Sequence, residues 1–184
     1  ALKNVAMQIA AMNPQYICRA DISEAEMAKI KEITIDSALN DPFSLPKPVL
    51  QKLLDKAVGG SVWSAEDIAI YEEKKSNMNY LPNFLSNEAK TALAQLAMDD
   101  KDAIVSDKIF NGLVEGRVSK QLKDICLLDQ AYVKAEDGKQ TVGKYLASVN
   151  KDLAVAKFVR FEVGEGMEKK NEDFAAEVAA QMGN

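Results

Sequence analysis

From about Asp36 to Asp107 the chain is broken by Pro42, Pro46, Pro48, Gly59-Gly60 and Pro82, and the pieces between those breaks repeat their apolar residues at helical spacing. Nothing in this stretch alternates with the period of a half-buried strand. Leu50, Leu53, Leu54 and Ala57 share one helical face, and Gly59 is placed to end that helix. Ser64 with Asp67 marks another helix start, where Trp63 can pack on Ile68 as a hydrophobic staple. Ser86 precedes a helix carrying Leu93, Leu96 and Ala97. The pattern predicts an all-helical insertion over residues 34–106, whose apolar residues must cover one another or a partner.

The flanks read differently. Leu2, Val5, Ile9 and Met12 lie at helical spacing, and Asn13-Pro14 stops that helix. Gln15 to Arg19 is short and apolar-centred, which suits a strand. Ser23 and Glu26 form a capping box, with Ile22 and Met27 at staple positions and Met27, Ile30 and Ile33 as the buried stripe. A helix follows from about Asp107 to Asp124, bearing Phe110, Val114, Val118, Leu122 and Ile125 on one side. Gly112 and Gly116 lower its propensity by about 1 kcal/mol each and suggest close packing. Cys126 to Val133 reads as a second strand, Asp137-Gly138 as a turn, and Thr141 as the cap of a helix carrying Val142, Tyr145, Leu146 and Val149.

The third expected strand is Leu153 to Val163, where Val159, Phe161 and Val163 alternate with Arg160 and Glu162. Asn171 then caps a terminal helix with a Phe174, Val178, Met182 stripe, closed by Gly183. The expectation is an α+β fold: a small antiparallel sheet of about three strands flanked by helices, with a large all-helical insertion and a C-terminal helix. Its parts are a core subdomain over 1–33 and 107–166, the insertion over 34–106, and a C-terminal module over 167–184.

Composition narrows the chemistry. The 184 residues include no histidine and only two cysteines, Cys18 and Cys126, far apart in sequence. Histidine-based nucleophile pairs, His-rich zinc sites and CxxC redox motifs are therefore excluded. A net charge of -5 disfavours a basic nucleic-acid-binding face. No apolar run approaches a membrane span, and a soluble cytoplasmic protein is expected. The start at Ala1-Leu2-Lys3, inside a helical pattern, suggests a piece of a longer protein. Gly164-Glu165-Gly166 is a strand-ending bend, because Glu165 and Glu168 repel phosphate and no phosphate-loop motif surrounds it. Glu72-Glu73 and the Asp99, Asp100, Asp102 group read as solvated faces, without calcium-loop spacing. No catalytic residue, metal site or cofactor is expected. The Phe174 stripe is either packed core or a groove-binding element. Residues alone lead to an interaction domain.

Three stretches carry a resemblance. Phe158-Val159-Arg160-Phe161-Glu162-Val163-Gly164-Glu165-Gly166-Met167-Glu168-Lys169, followed by Asp173-Phe174-Ala175-Ala176-Glu177-Val178-Ala179, closely resembles the C-terminal end of bacterial elongation factor Ts. Ala6-Met7-Gln8-Ile9-Ala10-Ala11-Met12-Asn13-Pro14 is similar to the helix that begins the second half of that family's core. Val114-Glu115-Gly116-Arg117, then Val118 to Leu128, resembles the helix and strand that return to the core after the family's insertion.

The resemblance implies a nucleotide exchange factor that releases GDP from the GTPase elongation factor Tu during translation, and no enzyme. In that family an N-terminal module and a Thr-Asp-Phe-Val motif disturb the magnesium and phosphate site of Tu, the second core half holds its third domain, and the C-terminal helix reaches the GTPase domain. The first two elements are missing here, and Glu172-Asp173-Phe174-Ala175 is only a decoy for the motif. Weak or absent exchange activity alone is the implied result. Carried across, the contacts to Tu are Met7, Gln8 and Met12 on the opening helix and Phe174, Glu177, Val178 and Gln181 on the terminal one. Some members have histidine where Gln8 stands. The insertion is longer than the family's usual hairpin, which is linked to dimerisation in some members. A self-associating assembly module, built on Trp63, Tyr71, Tyr80, Phe84 and Leu85, is the competing reading.

Overall fold

A computed structural model of the chain describes residues 1–166. The chain divides into two compact units, Ala1–Ala154 and Val155–Asn184. The first unit is built from eight α-helices: α1 (Leu2–Met12), α2 (Glu24–Asn40), α3 (Lys47–Gly59), α4 (Ala65–Lys74), α5 (Asn87–Asp99), α6 (Lys101–Val105), α7 (Lys108–Ile125) and α8 (Val142–Val149). Short 3-10 turns, among them Leu127–Asp129, link several of them.

The helix starts follow their sequence signals. Ser23 accepts from the Glu26 amide while Glu26 reaches back to the Ser23 amide, so two of the orphan donors of α2 satisfy each other's residues. Asp107 and Thr141 cap α7 and α8 from one side only, their side-chain oxygens accepting from the amides of Ile109 and Phe110 and of Lys144. α1 ends on Asn13, which takes the left-handed conformation at φ 43° and donates its N–H to the Ile9 carbonyl. The stripe of α2 runs through half-buried Met27 and Ile30 to buried Thr34, Ile35, Ala38 and Leu39, whereas Ile33 faces out. Helical geometry carries the buried face from Ile30 to Thr34, one turn on, and so rotates Ile33 away.

α2 packs on α5 and α7, and α3 packs on α5. The main core runs from Ile35 to Val114, with Leu39, Leu53, Leu54, Leu81, Leu93 and Phe110 among its buried side chains. Trp63 lies inside this core, donates its indole N–H to the Ala89 carbonyl at 2.9 Å and meets the Tyr71 ring edge-on. A smaller cluster of Ile22, Leu122 and Cys126 joins α7 to the turn before α2. Cys126 is a free thiol whose pKa is pushed up by burial.

The three-stranded antiparallel sheet is not formed. Among the described residues there is no strand, only a parallel bridge between Tyr16 and Cys126 and an antiparallel one between Ala131 and Thr141. The reasons are local. After Tyr16 exchanges hydrogen bonds with Ile125 and Leu127, the Cys18 amide turns to the Asp21 carboxylate and leaves the ladder. Past Cys126, the amides of Asp129 and Gln130 return to the Cys126 carbonyl and close a turn. In the second unit, residues 155–162 alternate in sequence but take no ladder hydrogen bonds among the described residues, and Val159, Phe161 and Val163 are exposed. Alternation marks a strand only where a neighbour receives its backbone groups. The described fold is therefore all-helical rather than α+β. The expected terminal helix lies outside the described residues.

Two helix starts, those of α4 and α5, share one carboxylate. Asp67 is 5 % exposed. Its Oδ1 accepts from the Ser86 amide at 2.9 Å, and its Oδ2 accepts from the hydroxyls of Ser64 and Ser86, each at 2.8 Å. Ser64 and Ser86 are themselves the caps of α4 and α5. Burial raises the Asp67 pKa, but these three donors together outweigh it and hold the carboxyl below its ordinary 3.8. Its contribution to stability is complete above that ordinary value and is lost as the pH falls through the depressed folded one. Asp67→Ala should cost about 2 kcal/mol by leaving the Ser86 amide unpaired. Asp67→Asn should flatten the loss of stability below pH 3.8, as read by urea titration across pH.

Gly112 and Gly116 do not mark close packing: a β-carbon added at either meets nothing within 4 Å. Both sit inside α7 on its exposed side. Alanine at each position should stabilise the protein by about 0.5–1 kcal/mol in chemical denaturation. A loss of stability would overturn this reading of the space beside α7.

Candidate partner-binding surface

α1 is held to the rest of its unit by a pair of side-chain amides. Gln8 is fully buried, and Gln130 is 1 % exposed. Gln8 Nε2 donates to the Ala131 carbonyl at 3.0 Å and to Gln130 Oε1 at 3.2 Å, while its Oε1 accepts from the Val133 amide at 2.9 Å. Gln130 Nε2 donates to the Asp124 carbonyl at 2.7 Å and to the Met12 carbonyl at 3.3 Å. Thus Gln8 closes one side of the 131–133 segment, and Gln130 closes the end of α1 onto the end of α7. Val5 and Ile9 bury beside Gln8 on the inner face of the helix. No buried side-chain N or O among the described residues lacks a partner.

The outer face of α1 is left nearly uncharged. Leu2, Ala6, Met7, Ala10, Ala11 and Met12 are exposed there, and Lys3 is the only charged residue of the helix. Met7 and Met12 lie about 140° apart around the axis and so occupy opposite flanks of the exposed surface. Met side chains are well suited to such a surface, being apolar and adaptable.

α8 and the loop before it complete this end of the unit. Tyr132 and Tyr145 stack with ring centroids 4.2 Å apart. Asn4 donates from Nδ2 to the Tyr145 hydroxyl at 3.0 Å and accepts from Lys134 Nζ at 3.1 Å, tying α1 to both. Burial first, and then its hydrogen bond with Tyr145, raises the Tyr132 pKa. Gly143 sits where α8 crosses the Leu127–Asp129 turn, and a β-carbon there would come within 3.1 Å of the Leu128 carbonyl oxygen. Arg19 and Asp129 pair at 2.5 Å across the Cys18 and Cys126 segments.

Of the sequence-derived contacts, the structure brings Met7 and Met12 to the surface and places Gln8 inside, all on one helix. Phe174, Glu177, Val178 and Gln181 lie outside the described residues. The competing assembly residues separate: Trp63, Tyr71 and Leu85 are core, while Tyr80 and Phe84 are exposed, Phe84 under the Lys74 ammonium at 5.1 Å. Sequence reasoning missed Gln130, Asn4 and the tyrosine stack. Gln130 carried a usable signal, a lone uncharged polar residue in the apolar run from Cys126 to Val133. Among the described residues no group of three potential metal ligands converges, and no helix is long and apolar enough to cross a membrane. The geometry offers a contact surface on a rigid mount.

Comparison with known proteins places this surface in a family. A family model described as Elongation factor TS matches residues 1–74 and 67–165. Elongation factor Ts of Finegoldia magna is 32% identical over 185 residues, covering 98% of this chain and 58% of the relative. Its counterpart in Alkaliphilus metalliredigens is 34% identical over 185 residues, with 98% and 56% covered. That of Paracidovorax citrulli is 48% identical over 98 residues, covering 53% of this chain and 31% of the relative. No solved structure matches. The chain thus spans a little over half the length of the full-coverage relatives. With matches running through the described first unit and into the second, the chain belongs to the elongation factor Ts family.

Proposed function

We propose that this chain is the Tu-binding part of a guanine nucleotide exchange factor, which promotes GDP release from elongation factor Tu during translation elongation in the cytoplasm. Membership of the Ts family supports this, and the observation that carries it is the uncharged outer face of α1 on its buried amide mount. Exchange of this kind needs no proton transfer or nucleophile. It needs a protein that binds nucleotide-free Tu more tightly than GDP-bound Tu, because binding and release are linked through one coupling free energy.

In this reading Met7 and Met12 touch the third domain of Tu, and Gln8 acts from inside by fixing the helix that presents them. Phe174, Glu177, Val178 and Gln181 are proposed as the contacts of the terminal module 167–184. Residues 1–33 and 107–166 form the Tu-holding core, with 34–106 inserted. The assembly reading keeps only Tyr80 and Phe84 as outward aromatic residues, so the Tu reading is preferred.

Two outcomes test it. In a fluorescent-GDP release assay on Tu, this chain should bind yet accelerate release far less than a full-length Ts, because the element that acts on the nucleotide site is not in the chain; equal acceleration refutes the reading. Met7→Glu should weaken Tu binding about tenfold while leaving the unfolding midpoint unchanged. Gln8→Ala should instead lower stability by about 2 kcal/mol, since it takes the Gln8 donor from the buried Gln130 Oε1 and the acceptor from the Val133 amide.

A further inference from the structure

Beside α1 the loop from Tyr132 to Gln140 and helix α8 enclose an open cleft of about 690 Å³. Its floor is the Tyr132–Tyr145 stack, and Lys134, Lys139 and Lys144 stand around it. None of these three ammonium groups has a carboxylate within ion-pair distance among the described residues. Two acids, Glu136 and Asp137, also line the cleft. The Asp137 carboxylate is turned back onto its own loop, where Oδ1 accepts from the amides of Lys139 and Gln140 at 2.9 and 3.0 Å. A chain with a net charge of -5 thus gathers three lysines without ion-pair partners at one aromatic-floored cleft.

We propose that this cleft receives an acidic segment of the protein partner that sits on α1, a deepening that rests on the Tu-binding reading. The chemistry fits a carboxylate side chain. Its methylenes lie on the tyrosine rings, and its charge is met by the exposed Lys139 and Lys144. A nucleic-acid backbone fits less well, because Glu136 and Asp137 oppose a continuous run of phosphates. The cleft and the α1 face form one surface, since Asn4 holds both Tyr145 and Lys134. A partner seated on Met7 therefore has its edge at the lysines. Apolar contact on α1 supplies duration of the complex, and the lysines supply the rate of encounter.

The test is the charge reversal Lys139→Glu with Lys144→Glu in the whole chain, with binding to purified nucleotide-free Tu followed by stopped flow at about 50 and about 300 mM salt. The wild-type association rate should fall with salt. The variant should associate about fivefold more slowly at low salt, converge on wild type at high salt and lose most of the salt dependence. The Lys139→Arg, Lys144→Arg pair should behave as wild type. Both lysines are exposed, and should the reversal pair nevertheless unfold, Lys139→Ala with Lys144→Ala replaces it and should show a smaller slowing in the same direction. If wild type binds Tu and the reversal changes neither rate nor salt dependence, the cleft inference is overturned while the Tu reading stands. If wild type does not bind Tu, both fall. Tighter binding of a labelled single-stranded RNA than of Tu, lost in the reversal variant, would also overturn it by making phosphate the occupant.

Discussion

Gln8 and Gln130 lie 122 residues apart in sequence and meet through their side-chain amides inside the first unit. Every other feature of the proposed binding surface depends on that meeting. It brings α1 against the 131–133 segment, positions Asn4 to reach Tyr145 and Lys134, and leaves the apolar side of α1 facing outward. Two leucines in their place could bury comparable area, but they would leave the Val133 amide and the Asp124 carbonyl without these partners. Directional bonds also fix the rotation of the helix about its axis, which a non-directional apolar contact does not. A surface that must match a partner needs that rotation fixed.

The helical part of the fold was readable because its signals are local. Ser23 with Glu26, Ser64, Ser86, Asp107 and Thr141 each start a helix where the residue pattern says one should begin. The strands were not readable, since pairing depends on groups distant in sequence. The Cys18 amide found the Asp21 carboxylate, and a single residue choosing a side chain over a neighbouring chain was enough to end the first strand after one bridge. Gln8 was legible as special through family resemblance but not in its role. A glutamine between Met7 and Ile9 looks like a surface contact until its partners, more than a hundred residues away, are known.

The glycines of α7 make the same point from the other side. Spaced four apart, Gly112 and Gly116 suggest a close helix crossing, yet the space beside them is open. Gly143, which drew no attention in the sequence, is pressed against the Leu128 carbonyl, because α8 crosses a turn there. Contact requirements at a glycine are set by what lies opposite it, and sequence spacing carries none of that information.

The shared carboxylate of Asp67 has a consequence for the length of the connection between α4 and α5. By fastening the first turns of α4 and α5 together, it closes the base of the connection running through Lys75–Asn77 and Leu81–Asn83. Residues added to or removed from the outer part of that connection change mainly the entropy of an already closed loop, a term that grows only slowly with length. Leu81 within that connection is itself core, so this tolerance is confined to the exposed residues before it, 75–77 and 79–80.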